Sequence, residues 1–211
     1  MLPPLEQIKA RLEAAVHGVK VEIIPNASPA NQPSLLISSE HALDIGKILQ
    51  IDPELQMDYC SNVTGVDWPE TIVKEKVKVK KIVDSVEKEV EETIEKKTPA
   101  YLEAVYHLFS MTLKHGMVIL RMRTENRTDK VTLPSLTPLW RSCEFQEREI
   151  FDLYGIVFTG HPDLRRILMW EGFKDFPMRK DYVEPDDYEY EPTPHDDVLE
   201  KSKRHQPQAT Q

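Results

Sequence analysis

The stretch LEAVYHLFSMTLKHGMVILRMR, residues 102–123, consists of two apolar segments separated by a turn. In residues 117–123 two sets of side chains alternate, with Val118, Leu120 and Met122 on one face, which is typical of a β-strand. The periodicity of residues 102–111 fits a strand and a helix equally well. Residues 114–116, Lys-His-Gly, favour a turn. A strand–turn–strand hairpin accounts for the whole stretch and predicts antiparallel pairing.

Helices and further strands are predicted on both sides of this hairpin. Helical spacing of apolar residues, followed by Gly18, Pro53 or Gly155, predicts helices at residues 5–16, 38–51 and 142–154. Ser38 or Ser39 is the expected N-cap of the second helix, and Ser142 that of the third. Strands are expected at residues 19–23, 35–37 and 55–62, the last of them broken by Gly65. The predicted fold class is α+β, a mainly antiparallel sheet of four to five strands with helices packed against it, plus an extended irregular C-terminal arm.

Residues 71–98 differ in composition, with lysines in the first half and glutamates in the second. Val77 and Val79 alternate with lysines as in a strand, yet the apolar residues from Val79 to Ile94 also fit one face of a helix. The segment is predicted to be a solvated amphipathic hairpin or helix. A partner-binding arm is the second interpretation. A nucleic-acid patch is disfavoured because the glutamates neutralise the lysines.

The charge balance narrows the class of partner. The 211 residues carry a formal net charge of -9 at pH 7, whereas proteins that bind nucleic acids or anionic membranes usually carry excess positive charge. No nucleic-acid partner is therefore expected. The N-terminus lacks the pattern of a signal peptide, and no segment approaches the roughly 20 apolar residues of a spanning helix. Membrane association is expected only through a partner.

The chain has two cysteines, Cys60 and Cys143, and no CxxC pair. A cubane iron–sulfur cluster is usually held by four thiolates, which this chain alone cannot supply. Two buried free thiols in a reducing compartment are the expected arrangement.

Acidic and basic side chains are dense between residues 147 and 181, as they would be in an active site. Glu147 and Glu149 point to different faces of a helix, so their spacing does not make a paired-carboxylate site. His161 lies in a Gly-His-Pro turn without a second histidine at metal spacing, which favours a turn-fixing hydrogen bond over a general base or a metal ligand. Arg165 and Arg166 could clamp an anion, but pairing with protein carboxylates is favoured. GxSxG, HExxH and glycine-rich phosphate-loop motifs are missing from the sequence.

On the third predicted helix, Glu144, Arg148 and Asp152 recur every four residues and are expected to form a charge ladder along one face. An exposed ladder stabilises a helix by only about a few tenths of a kcal/mol per pair. The same charges become determinants of specificity when a partner covers them. The stretch is therefore interpreted as a docking surface for another protein.

The pattern ERE-x-FDLYGI-x-F-x-GHPDLRRI at residues 147–167 resembles the signature of the thirty-kilodalton-subunit family, the C subunits of respiratory NADH:quinone oxidoreductase (complex I). The similarity continues through PMRKDY at residues 177–182. Upstream it includes GVDWPE at residues 65–70, VYHL at residues 105–108 and PSLT at residues 134–137. It covers roughly residues 35–182. One departure is residues 71–98, interpreted as an insertion in a surface loop, which adds little closure entropy.

The resemblance implies a non-catalytic peripheral-arm subunit of the proton-translocating enzyme, on the cytoplasmic side of the bacterial inner membrane. It implies no cofactor, metal or catalytic residue in this chain, with FMN, iron–sulfur clusters and quinone in partner subunits. Subunits D and B are the implied partners, together with other peripheral-arm subunits, and the chain is expected to help assemble the quinone-reducing module. The expected partner-binding and signature residues are Glu147, Arg148, Glu149, Asp152, His161, Asp163, Arg165, Arg166, Arg179, Lys180 and Asp181.

Two alternatives stay open at this point. The same scaffold could serve a membrane-bound hydrogenase or a dehydrogenase fed by another donor, because the donor binds elsewhere. A stand-alone enzyme acting on a small anion is the least favoured. The expected organisation is an α+β domain at residues 1–70 and 99–158, a charged inserted segment at 71–98, a partner-binding arm at 159–198 and a disordered tail at 199–211.

Overall fold

The computed structural model describes the backbone of residues 2–83 and 86–183, and the side chains of these residues outside 73–96. Residues 184–198 of the predicted arm and the predicted tail therefore lie outside the described residues. The elements in chain order are α1 (Leu5–Ala15), β1 (Val21–Ile24), β2 (Ser34–Ile37), α2 (Ala42–Ile51), β3 (Tyr59–Trp68), β4 (Thr71–Val83), β5 (Val86–Thr98), β6 (Tyr101–Phe109), β7 (Met117–Arg123), β8 (Thr132–Pro134), α3 (Cys143–Tyr154) and β9 (Val157–Thr159).

The predicted α+β class is confirmed by a five-stranded sheet of spatial order β1-β2-β7-β6-β3. β6 and β7 form the predicted antiparallel hairpin, with Tyr106 opposite Leu120. Lys114 and Gly116 have positive φ angles of 52° and 139° in the turn between them. β2 pairs with β7 in parallel, whereas the other three strand pairs of this sheet are antiparallel.

The edge strand β3 differs from its prediction. It begins at Tyr59 instead of residue 55, and it continues through Gly65 to Trp68. A Cβ atom at Gly65 would lie 2.6 Å from the Tyr154 ring, so this glycine allows α3 to pack closely on the strand. The glycine serves close packing and does not break the strand.

Two predicted helix caps are also wrong. Ser142 has helical φ and ψ and forms no side-chain cap, because its hydroxyl donates to the Cys60 carbonyl at 2.8 Å. A short 3-10 turn at Ser39–His41 precedes α2, and neither it nor α2 has a serine side-chain cap. The predicted stop of α3 is confirmed, since Gly155 takes a left-handed conformation with φ 80°.

For residues 71–98 the hairpin alternative is confirmed and the helix alternative is excluded. β4 and β5 pair antiparallel from Thr71 opposite Thr98 to Val83 opposite Val86. Trp68 and Tyr101 are paired in the same register at the adjoining ends of β3 and β6. The hairpin therefore continues the β3–β6 pair outward from the sheet.

The core fills the space between the sheet and the helices. Both cysteines lie in it as free thiols, as predicted. A hydrogen bond with the Cys60 thiol and burial raise the pKa of Cys143. Trp140 donates its indole N–H to the Met57 carbonyl at 2.7 Å. Within the described ranges, no helix is long and apolar enough to cross a membrane.

Candidate partner-docking site

Asp152 on α3 is the first of two anchors for residues 160–183, which are called the arm below. The backbone N–H groups of Ile167, Leu168 and Met169 donate to its Oδ2 atom at 3.0, 2.7 and 2.9 Å. Arg166 donates to its Oδ1 atom at 2.6 Å. Burial acts to raise the pKa of Asp152, but these hydrogen bonds outweigh burial and lower it. A fully buried carboxylate thus closes one loop of the arm onto the helix.

Arg148, one helical turn earlier, holds the preceding part of the arm. Its Nε and Nη2 atoms donate to the carbonyls of Arg165 and Arg166 at 3.2 and 3.4 Å. Its Nη1 atom lies 3.5 Å from Asp163. The predicted charge ladder therefore does not form. Glu144 pairs with Arg141, whereas Arg148 and Asp152 bind different parts of the arm.

His161 fixes the turn at which the arm leaves β9. Its Nδ1 atom accepts the Asp163 N–H at 3.1 Å, so its Nε2 atom carries the proton and donates to the Glu144 carbonyl at 2.9 Å. Both ring nitrogens are used by the backbone, which is the turn-fixing role expected from the sequence. Arg165 is exposed and pairs with Asp163 at 3.0 Å.

Asp67, at the end of β3, is the second anchor. Arg127 binds its two carboxylate oxygens through Nε at 2.6 Å and Nη2 at 2.7 Å, and Lys180 donates its backbone N–H at 2.7 Å. Burial acts to raise the pKa of Asp67, but these hydrogen bonds outweigh burial and lower it. Arg127 also donates to Asp181 at 2.8 Å, and the hydrogen bond with Asp67 is the largest cause that raises the pKa of Arg127. Arg127 thus clamps the end of the arm to the sheet.

Arg127 was not among the residues singled out from the sequence. It lies in the connection between β7 and β8, where no periodicity or motif marks it. Asp67 lies in the GVDWPE motif, and this motif was the one sequence signal that could have pointed to the anchor. Its contacts with Arg127 and Lys180 span 60 and 113 residues.

Arg179 joins the two anchors around the end of α3. It donates to the Tyr154 carbonyl at 2.7 Å and to the Arg127 carbonyl at 3.2 Å, and its guanidinium lies 4.4 Å from the Phe176 ring centre. Burial lowers the pKa of Arg179. A Cβ atom at Gly155 would lie 2.6 Å from Phe176, so the arm packs directly on this glycine.

Glu147 holds a different loop, and it lies apart from the arm. Its carboxylate accepts hydrogen bonds from four donors: the hydroxyls of Tyr106, Ser135 and Thr137 and the N–H of Leu136. Burial nevertheless raises the pKa of Glu147. Glu149 is exposed, so the two neighbouring glutamates diverge as their spacing indicates. Among the described residues, no group of three or more His, Cys, Asp or Glu side chains could hold a metal ion.

The side chains that face solvent around the arm include large apolar ones. Phe145 and Leu168 are each 60% exposed, and Met178 is 54% exposed. Met178 also lines a groove of about 210 Å³ between β3 and α3. Exposed apolar side chains of the arm thus lie beside exposed charges such as Arg165 and Asp181, a composition that fits a docking surface with an apolar centre and a polar rim.

Comparison with known proteins identifies the family of the chain. The family model described as "Respiratory-chain NADH dehydrogenase, 30 Kd subunit" matches residues 35–188. The chain belongs to this family. The predicted identity is confirmed, and the enzyme to which the 30 Kd subunit belongs is the assembled NADH-quinone oxidoreductase, complex I.

Relatives of the 30 Kd subunit family match over most of their length. The chain is 33% identical over 184 residues to the C 2 subunit of NADH-quinone oxidoreductase from Rhizobium etli (strain CIAT 652), covering 85% of this chain and 74% of that protein. It is 36% identical over 170 residues to the protein of the same name from Rhizobium meliloti (strain 1021), covering 80% and 68%. A chain in the structure of the membrane-bound sulfane sulfur reductase, an archaeal respiratory membrane complex, shares the fold, with TM-score 0.55, 15% identity and coverage of 98% and 95%.

Proposed function

We propose that the chain positions the quinone-reducing module of complex I by docking its arm on subunits D and B, on the cytoplasmic side of the bacterial inner membrane. FMN, the iron–sulfur clusters and quinone are bound by partner subunits in this proposal. The observation that supports it most directly is that hydrogen bonds hold the arm to β3 and α3. Asp152 and Asp67 bind it from inside, and Leu168 and Met178 are left on the outside.

The two anchors favour binding because a partner that binds an already ordered arm does not lose the conformational entropy of ordering it. Immobilising a flexible side chain or loop on binding opposes association by about 0.5–1.5 kcal/mol for each rotamer-rich side chain. The anchors of the arm meet this requirement within the subunit, before any partner arrives. The apolar groups then provide the affinity of a preformed surface.

The charges that remain outside suit the rim of such an interface. Glu149 is exposed on α3, Arg165 is exposed at its pair with Asp163, and the Lys180 ammonium lies 5.6 Å from the Trp68 ring centre. Charges at a rim select partners and speed encounter more than they add affinity. We assign specificity to these residues and assign the ordering of the arm to Arg148, Asp152, Arg166 and Asp181.

An affinity-tagged full chain, expressed in its own host and recovered from solubilised membranes, tests this function. The expected result is co-purification of the quinone-site, cluster-bearing and NADH-binding subunits, identified by mass spectrometry. Recovery of the chain alone would rule out the proposal. Recovery with a different donor-binding subunit would assign the scaffold to another complex.

A further inference from the structure

The central sheet has two faces, and the described helices cover one of them. Alternate residues of β6 and β7 enter the hydrophobic core: Leu102, Ala104, Tyr106, Leu108, Val118, Leu120 and Met122. The residues between them point to the opposite face, where Val105 and Ile119 are buried but lie outside that core. The buried apolar side chains of α1, α2 and α3 all belong to the core. The second face, called the open face below, therefore lacks a covering helix among the described residues.

A buried glutamate organises two arginines on the open face. Glu103 is fully buried and accepts hydrogen bonds from Arg121 Nη1 at 3.0 Å and from Arg123 Nε at 2.9 Å. The indole N–H of Trp68 donates to the same carboxylate at 3.0 Å. The Arg123 guanidinium also lies 4.7 Å from the ring centre of Tyr101. These contacts hold both arginines in place before any ligand binds, and the five residues are called the arginine platform below.

The arginine platform retains hydrogen-bonding capacity. A guanidinium has five N–H donors, and each of the two arginines directs one hydrogen bond to Glu103. The Nε atom of Arg121 is buried without a hydrogen-bond partner among the described residues. The side chains of Arg121 and Arg123 are 23% and 32% exposed, so a ligand can reach them from solvent. A carboxylate is the protein group that pairs with two guanidinium N–H donors at once.

The charge of the arginine platform is opposite to that of the chain. Two arginines and one glutamate give the platform a net charge of +1, and the Lys180 ammonium lies 5.6 Å from the Trp68 ring centre at its end. Lys20 and Glu22 pair with each other at 3.3 Å and add no net charge nearby. The chain as a whole carries -9. The chain therefore repels an acidic partner in general, whereas the platform attracts it and fixes where it binds.

A cavity beside the arginine platform suits an apolar side chain. It has a volume of about 320 Å³, and Leu36, Ile37 and Arg123 are among the residues that line it. Leu36 lies opposite Arg121 in the β2–β7 pair, which places the cavity on the open face. Trp68 is 39% exposed on the same face. Tryptophan, tyrosine and arginine are the residue types that contribute most to binding energy at protein interfaces.

We infer that the open face binds an acidic segment of a partner protein. Carboxylates of that segment pair with Arg121 and Arg123, and an apolar side chain enters the cavity beside Leu36. The arginine platform consists of residues of β3, β6 and β7, so this interface is separate from the arm and goes beyond the proposed function.

Site-specific photo-crosslinking in the assembled complex tests this interface. Thr64 is exposed on the open face, in line with Val105 and Arg121 across β3, β6 and β7. A benzophenone amino acid at Thr64 crosslinks to a different chain, at a segment in which Asp and Glu outnumber Lys and Arg, as identified by peptide mass spectrometry. The control is the same group at Lys47, which is exposed on α2 and does not crosslink to that segment.

The sign of the charge at Thr64 then tests the electrostatics. A synthetic peptide of the crosslinked segment binds the purified full chain, and fluorescence anisotropy measures its Kd. Thr64→Glu places a carboxylate beside the arginine platform and raises the Kd by about tenfold or more, whereas Thr64→Lys does not raise it. Arg123→Glu also raises the Kd, and exchanging the acidic residues of the peptide for lysine reverses this effect.

Three results would overturn the inference: no crosslink from Thr64 to another kind of chain, a crosslinked segment without an acidic excess, and equal Kd values for the two Thr64 variants. A crosslink to a second copy of this chain belongs to the first result. Hydrogen exchange of β6 and β7 reports whether each variant is folded. If Arg123→Glu fails to fold, the two Thr64 variants alone decide, since Thr64 is exposed.

Discussion

Lys180 donates its backbone N–H to the Oδ2 atom of Asp67 at 2.7 Å, although 113 residues separate the two along the chain. The same carboxylate receives two hydrogen bonds from Arg127. A single buried aspartate therefore ties the central sheet, the connection after β7 and the end of the arm together.

Acid should release the arm before it unfolds the sheet. The pKa of Asp67 is lowered in the folded chain, and those of Asp152 and Asp181 are lowered as well. A lowered carboxyl pKa contributes stability that is present above the unfolded value of about 3.9 and is lost as the pH falls through the folded pKa. The protection of residues 166–182, measured against the intrinsic exchange rate at each pH, should fall below about pH 4 while β6 and β7 stay protected. In Asp67→Asn the protection of the arm is already low at neutral pH. Equal protection of the arm at pH 3 and pH 7 would contradict this.

Removing the Asp152 carboxylate should destabilise the chain far more than removing an exposed one from the same network. Asp152→Ala leaves three backbone N–H groups and Arg166 without their acceptor, and we expect a loss of about 3 kcal/mol in the free energy of unfolding. Asp163→Ala is the control, since its ion pairs are half-exposed and an exposed pair contributes at most about 1 kcal/mol. Denaturant unfolding measures both. Equal losses in the two variants would show that Asp152 is not the principal anchor.

Glu147 should show the opposite pH dependence. Burial raises its pKa, so the folded state binds the proton more tightly than the unfolded state. Its contribution therefore makes the chain more stable as the pH falls from the raised folded pKa toward the unfolded value of about 4.3. Glu147→Gln removes this dependence and changes the stability at pH 7 by about 1 kcal/mol, whereas Glu147→Ala leaves four donors unsatisfied and costs about 3 kcal/mol. Urea unfolding at pH 5 and pH 7 distinguishes them, and a Gln variant as unstable as the Ala variant would show that the charge is required.

A charge on the outer face of the arm should block assembly without unfolding the subunit. Leu168 is 60% exposed, so Leu168→Asp leaves the melting temperature nearly unchanged and reduces the yield of assembled complex by about tenfold or more. Met111→Asp is the matched control, because Met111 is 54% exposed in the turn between β6 and β7. Native electrophoresis of solubilised membranes measures the yield. Similar yields of assembled complex from both variants would show that Leu168 is not part of the interface.

Gly155 and Gly18 offer a comparison that isolates the packing of the arm. Both have φ near +80°, at 80° and 81°, so alanine is strained equally at either position, by about 1 kcal/mol. A Cβ atom at Gly18 meets nothing within 4 Å, whereas at Gly155 it would lie 2.6 Å from Phe176 and 2.8 Å from Arg179. Gly155→Ala should therefore lower the melting temperature more and loosen residues 176–179. Equal shifts would mean that the arm adjusts freely around the helix end.

The sequence predicted the features that depend on local pattern. The β6–β7 hairpin, the three helices and the end of α3 at Gly155 follow from alternation, helical spacing and glycine chemistry. Residues 71–98 were ambiguous because Val77 and Val79 alternate with lysines as in a strand, whereas the apolar residues from Val79 to Ile94 fit one face of a helix. Two strands of 13 residues paired across their whole length decide the matter, and that pairing is not local.

The anchors were beyond sequence reasoning for a related reason. Arg148 and Asp152 have the spacing of a helical ion-pair ladder, and only the path of the arm shows that they bind its backbone instead. The clamp formed by Arg127 needs the end of β3, a connection after β7 and the arm to meet at one point. The sequence of each segment by itself does not indicate that the three segments meet.

The parallel pairing of β2 with β7 sets the order in which the chain can be completed during synthesis. Leu35 finds its partner Leu120 only after the β4–β5 hairpin and β6 have been translated. Until then the N-terminal helices and the β1–β2 pair have an incomplete sheet to pack on, while the β3–β6 pair can form from nearer contacts. We therefore expect nascent chains that stop short of residue 123 to be targets for chaperones and proteases.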